Sequence, residues 1–343
     1  TKNMKIRKTN GTLSMGQKSN FPAIALGLSL AMAAPIWGAI VWNGSVDGLW
    51  NTPGNWTGSG GGRDILNGDS VTLSGTAGTS STLEVANNST LNISTDLTMT
   101  DDLLIDSGGE VTMTAGTLDI NVGSSGDKIK IADAAAPGSF FMTGGTVVLG
   151  DKLEIYAGGL LEISGGNLAA NNEIEFQGGT IRVNGSWTGT GDLIYVGRSV
   201  IAGNGTYEFN PTVGGEIAPI TTVDGVAVSG SGKLNVNLDA STTSGSMTLF
   251  QGGEVDAFDT ATNVTIMHGA TELTEGAGLN TYSLDYGSGS GLALSFNVSA
   301  ASTADPEITS ISVDGTTATI TMTGTDGTDY TCMSSTTLDG GFP

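Results

Sequence analysis

Few side chains in this sequence could do chemistry. It holds one cysteine, Cys332, and one histidine, His268. A lone cysteine closes no disulfide framework and supplies no thiolate set for zinc. One histidine leaves the usual nucleophile–base pairs nearly unavailable. Carboxylates remain. Glu173 and Glu175 alternate along one stretch, so on a strand they share a face, with Ile174 and Phe176 on the other. Glycoside hydrolysis needs two carboxylates about 5–9.5 Å apart across a cleft, but the same alternation describes a solvated strand face. Arg182 is the basic residue read beside this pair, and an outward Arg next to acids is usually a surface ion pair. No set of residues reads as catalytic, and the chain is expected not to be an enzyme. Asp101, Asp102 and Asp106 lie close together and offer the hard oxygen ligands that calcium takes. Calcium is the one cofactor left open, although neither the GGxGxDxUx calcium repeat nor a DxDxDG loop occurs.

Trp42, Trp50 and Trp56 sit among Asn-Gly, Asp-Gly and Pro-Gly turn signals in VWNGSVDGLWNTPGNW. They admit two readings. An aromatic platform would stack on sugars and make extracellular glycans a partner. The favoured reading is a cap over the open end of a repeat stack, because terminal repeats need atypical covers.

The elements that must position these residues are strands. Between 90 and 184, apolar pairs spaced i, i+2 recur, among them Leu97/Met99, Leu103/Ile105, Val111/Met113 and Leu118/Ile120. That is the strand period. From Leu97 the pairs step by 6, 8 and 7 residues to Leu103, Val111 and Leu118, and the same steps run from Val147 through Leu153 and Leu161 to Leu168. The block thus repeats at an offset of 50 (147 − 97), with Ser107-Gly108-Gly109 matching Ala157-Gly158-Gly159 and Ala115-Gly116 matching Gly165-Gly166. Three short strands in 21 residues (118 − 97) make the coil of a parallel β-helix. Leu118 to Val147 is 29 residues (147 − 118), and the surplus is assigned to a loop at Ala132–Ser139. Thr98-Met-Thr100 and Thr112-Met-Thr114 are not one coil apart, so their hydroxyls fall on different faces and make no ice-binding ladder.

The expected fold is therefore all-β: a right-handed parallel β-helix with a C-terminal β cap and a fragment of a small β-sandwich-like domain. The domains read as a signal peptide at 1–39, a Trp/Gly/Asn-rich cap at 40–66, solenoid repeats with their cap at 67–299, a linker at 300–306 and a partial β domain at 307–343. In the leader, Lys2, Lys5, Arg7, Lys8 and Lys18 precede the apolar FPAIALGLSLAMAA, the order of a secretory signal. That run is short for a membrane span, so none is expected after cleavage near Ala33 or Gly38-Ala39. The sequence ends at Phe342-Pro343 without a finishing signal and reads as C-terminally truncated.

Lys and Arg total 12 against 34 Asp and Glu, a net charge of −22. Phosphate binding needs clustered cations, so nucleic acid and anionic membrane surfaces are poor partners. Glycine numbers 54, yet 38% of residues are hydrophobic, too many for a disordered acidic chain.

Trp42-Asn43-Gly44, Gly48-x-Trp50 and Asn55-Trp56, with T-[AG]-G-T-[LV] at Thr114–Leu118 and Thr143–Val147, resemble large bacterial surface proteins with autotransporter-associated β-strand repeats. Many of these end in a PEP-CTERM-type sorting signal. Tyr282–Gly287 with Leu292-Ala-Leu294 resembles the closing strands of such passengers, and Asp329-Tyr330 with Ser334–Leu338 a small domain preceding the sorting signal. The resemblance implies a secreted or cell-surface, structural or adhesive protein that contacts glycans or envelope components. It carries over no catalytic residues. The rival expectations are a polysaccharide lyase or hydrolase on a β-helix, and a carbohydrate-binding module.

Overall fold

The computed structural model describes residues 2–6, 40–43, 49–50, 52–57, 65–79, 82–120, 126–132, 136–185, 193–202, 204–228, 231–287, 291–298, 307–314 and 317–323. Among these the structure is almost entirely β, with one 3₁₀ turn at Pro53–Asn55.

Three parallel sheets recur in turn as the chain advances. The first stacks Ser70–Leu73, Thr90–Ile93 and Gly109–Met113, continues through the openings of Gly138–Leu149 and Gly159–Gln177, and runs on to Thr180–Asn184, Thr206–Asn210, Lys233–Leu238 and Val264–His268. The second begins with Ala77–Thr79, Leu97–Met99 and Thr117–Ile120. The third holds Leu83–Ala86, Leu103–Ile105, Ile129–Ile131 and Lys152–Tyr156. Gly159–Gln177, 19 residues long, serves all three sheets in succession. This is the stacked-coil β architecture that the alternating pairs predict.

The core follows from the same alternation. Leu103, Val111 and Leu118 and their later counterparts Leu153, Leu161 and Leu168 are all buried in one hydrophobic cluster. Burying each such side chain contributes about 1.5–3 kcal/mol, and stacking repeats it in every coil. The corners need glycine. Gly116 and Gly166 have φ of +77° and +90°, a left-handed region that costs other residues. A Cβ on Gly116 would also lie 2.3 Å from the Thr95 backbone of the coil before.

The insertion differs from expectation. Leu118 pairs directly with Val147, so the long step is a single coil. Its extra residues fall at two corners, one on each side of a further strand, and Ser139 is already in a strand. Between the corners lies Ile129–Ile131, a third-sheet rung whose Lys-centred Ile-Lys-Ile stood outside the glycine-punctuated pattern.

At the N-terminal end, Ile40–Trp42 pairs antiparallel with Trp56–Thr57 and parallel with Ser70–Leu73. At the other end Gly245–Gly252, Gly291–Asn297 and Thr281–Asp285 form antiparallel pairs, the expected β cap. Phe250 of this cap meets Tyr207 and Phe209 edge-on, at 4.9 and 5.6 Å between ring centres.

A separate unit contains a three-stranded antiparallel sheet of Lys2–Ile6, Thr317–Thr323 and Glu307–Asp314. The first of these strands falls in the stretch read as the basic start of a leader. Residues 7–39, with the apolar run and the cleavage points, lie outside the described residues, as does Cys332. Among the described residues no helix is long and apolar enough to cross a membrane.

Candidate functional site

The tryptophans form no sugar platform. Trp42 and Trp50 are 1% and 0% exposed and Trp56 is 9%, whereas stacking on a sugar requires an open indole face. Trp50 and Trp56 meet edge-on at 4.6 Å, and the Trp56 Nε1–H donates to the Trp50 carbonyl at 2.7 Å. Trp50 N–H donates to Gly78 O of the first second-sheet rung. The indoles are spent on covering the end of the stack, which corrects the glycan-binding assignment of these three residues.

The acidic corner is rearranged too. Asp101 and Asp102 are brought together with Asp127, their carboxylate oxygens within 4.8 Å of one another. Asp106 is not part of this group. It sits at the far end of Leu103–Ile105, and three strand residues span about 10 Å. Asp127 joins because it lies just before the rung Ile129–Ile131, which pairs with Leu103–Ile105 of the coil before. Asp102 Oδ1 accepts the Lys128 backbone N–H at 2.9 Å, and Asp101 Oδ1 accepts the Asp102 N–H at 2.9 Å. Burial pushes the Asp102 carboxyl above its ordinary value, opposed by the Lys128 hydrogen bond.

The third sheet carries the densest set of ionisable groups on its outer face. Lys128 Nζ donates to Glu154 Oε1 at 2.9 Å, and the Tyr156 hydroxyl donates to Glu154 Oε2 at 3.0 Å. Lys152 binds both Glu173 and Glu175, the latter at 3.5 Å. Each partner lies on a neighbouring coil, because in-register stacking sets Lys152 against Glu173 and Glu154 against Glu175. The hydrogen bond to Glu154 holds the Lys128 ammonium above its usual range, and that to Glu173 does the same for Lys152. Glu173 and Glu175 do share an outward face, but the cation between them is Lys152. Arg182 lies on the first sheet and bonds Glu208 at 2.8 Å and Glu162 at 3.0 Å. Those two contacts, Glu208 foremost, push its guanidinium pKa up. No family model, curated protein or solved structure matches this chain.

A ladder the sequence reading missed runs along the edge of the first sheet. Ser74, Ser94, Thr114, Thr143 and Ser164 each donate a side-chain hydroxyl to a backbone carbonyl of the preceding coil, at 2.8–3.5 Å. Asparagines then continue it, Asn237 donating to Asn210 at 2.8 Å and Asn210 to Asn184 at 2.9 Å. The signal was present: Ser, Thr or Asn directly follows the second apolar residue of the first-sheet pairs from Val71/Leu73 to Leu234/Val236, as in Leu73-Ser74 and Val183-Asn184. His268 is buried, with Nε2 3.1 Å from Thr242 O, a structural setting at the last first-sheet rung.

Proposed function

We propose that this chain is an exported, non-enzymatic cell-surface or extracellular-matrix protein, in which the stacked coils act as a rigid spacer. One observation carries the reading. Each ion pair among the described residues joins adjacent coils, so Lys128, Lys152 and Arg182 and their carboxylates hold the stack together. A hydrolase would aim two carboxylates at a shared substrate, and a lyase would keep a cation beside them for an acidic sugar. Here Lys152 is committed to Glu173 and Glu175. The solenoid geometry suits a spacer because each coil contacts only its neighbours, so length is added without altering the core. The net charge of −22 keeps such a surface soluble.

The test is fractionation of a bacterium expressing the complete gene, together with an activity screen of the purified protein. The expected result is protein in the envelope or medium, and no new reducing ends or unsaturated uronates from neutral or acidic polysaccharides. Retention in the cytosol, or steady product release that stops on Glu175→Gln, would overturn the reading.

A further inference from the structure

Four polar side chains gather around one open cleft near the C-terminal end of the stack. Ser246, Thr248 and Gln251 on the strand Gly245–Gly252 and Glu216 on the preceding connection line an open cleft of about 570 Å³. All four are exposed, and their side chains make no hydrogen bond to another described residue. Ile217, Pro219 and Met247 give the cleft apolar lining, and Ile217 and Met247 belong to or pack on the core.

Both walls are fixed by backbone features. On the strand, pairing with Gly291–Asn297 slips between Thr248 and Phe250. The slip leaves Leu249 and Phe250 both buried, so Gln251 emerges exposed like Ser246 and Thr248. Bulges commonly re-aim a side chain in this way. On the opposite wall, Thr212 N–H donates to Glu216 O at 2.9 Å, Glu216 N–H to Thr212 Oγ1 at 3.1 Å, and Gly215 takes φ +79° to close the turn.

We infer that this cleft is a binding site for a neutral saccharide. The volume lies in the range of small-molecule sites. Two hydroxyls and an amide each both donate and accept, and the carboxylate accepts, which matches the mixed donors and acceptors of sugar hydroxyls. Ile217 and Pro219, both half-buried, supply apolar surface for the C–H face of a pyranose ring. No cation lines the cleft and Glu216 adds a negative charge, so phosphates, uronates and other anions are disfavoured. The inference deepens the surface-protein reading and rests on it for the setting, where an exported chain meets polysaccharide.

The test is saturation-transfer NMR on the full chain with cellohexaose, maltohexaose and mannohexaose as probes and hexagalacturonate as the anionic comparison. At least one neutral probe is expected to bind, with Kd on the order of 1 mM. Gln251→Ala and Glu216→Ala should each weaken it at least tenfold, and Thr72→Ala on the first sheet should leave it unchanged. Glu216→Gln should admit hexagalacturonate. No neutral probe binding, or undiminished binding in both alanine variants with native circular dichroism, overturns the inference. The two proposals fail separately. An envelope-localised protein blind to all neutral probes loses only the cleft, and a cytosolic protein that binds them through Gln251 loses only the surface role.

Discussion

The first and third sheets solve the same problem with different chemistry. Parallel in-register stacking sets each outward side chain about 4.8 Å from its counterpart on the next coil. Along the edge of the first sheet the stacked residues are neutral, and each satisfies the one beside it: hydroxyl to carbonyl from Ser74 to Ser164, then amide to amide from Asn184 to Asn237. Like can stack on like there because a hydroxyl or amide both donates and accepts. On the third sheet the residues are charged, and cations bridge the carboxylates even where Glu154 stacks directly on Glu175. Lys128 reaches Glu154, and Lys152 reaches Glu173 and Glu175. In a chain with 12 basic and 34 acidic residues, cations are scarce, and those described in ion pairs sit where carboxylates would otherwise stack. The lesson is that a neutral side chain can be copied from coil to coil unaided, whereas a copied carboxylate, Glu154 over Glu175, is accompanied by cations, Lys128 and Lys152.

The largest expected effect tests what the two sheets share. Leu161 faces the core from the first sheet and Leu153 from the third, and both are essentially unexposed. Leu161→Ala and Leu153→Ala should each cost about 2–5 kcal/mol, read as a lower urea midpoint. Similar losses mean one common interior. A silent change at either position would divide the core and break the comparison at its base.

A smaller effect separates charge from neutrality. Arg182 stands between Glu162 and Glu208 in consecutive coils. Arg182→Glu removes two ion pairs and stacks three carboxylates, for an expected loss of about 1–2 kcal/mol at low salt, since each partly exposed pair contributes only about 0.2–1. Raising salt to molar levels should recover much of it, because the screening length falls to about 3 Å. Ser164→Ala on the neutral ladder, whose hydroxyl donates to the Met142 carbonyl, should cost about 0.5–1.5 kcal/mol with little salt dependence. Equal salt responses of the two variants would show that the distinction between the ladders is not electrostatic.

Much of this was legible in the sequence, and what was not has definite causes. The i, i+2 pairs and glycine corners located the coils because burial and positive φ act on residue type directly. Leu103, Val111 and Leu118 were placed inward on that ground, and they are. Which coil a corner residue faces depends on loop length instead. Asp127 was therefore invisible as a neighbour of Asp102, since 25 residues separate them (127 − 102) and the inserted loop was expected at Ala132–Ser139. Arg182 was assigned to the nearest acids in sequence, Glu173 and Glu175. Register gave it Glu162 and Glu208, each about one coil away. The tryptophans were ambiguous because stacking on sugar and closing a core use the same side chain, and only burial distinguishes them.

The smallest effect concerns the corner where the second sheet passes to the third. Burial raises the Asp102 carboxyl pKa above its unfolded value. A folded chain that holds this proton more tightly than the unfolded chain gains stability as pH falls through the carboxylate range. The gain is complete below the unfolded pKa and absent above the folded one. At pH 7 the ionised group is therefore a slight liability. Asn at this position keeps an oxygen for the Lys128 N–H and removes the charge beside Asp101 and Asp127. Asp102→Asn should match or exceed the wild-type urea midpoint at pH 7, by no more than about 0.5 kcal/mol, and the difference should close as pH drops. Were Asp102→Asn instead to gain on the wild type as pH falls, the corner would belong with the charged ladder, and Lys128 rather than burial would govern its titration.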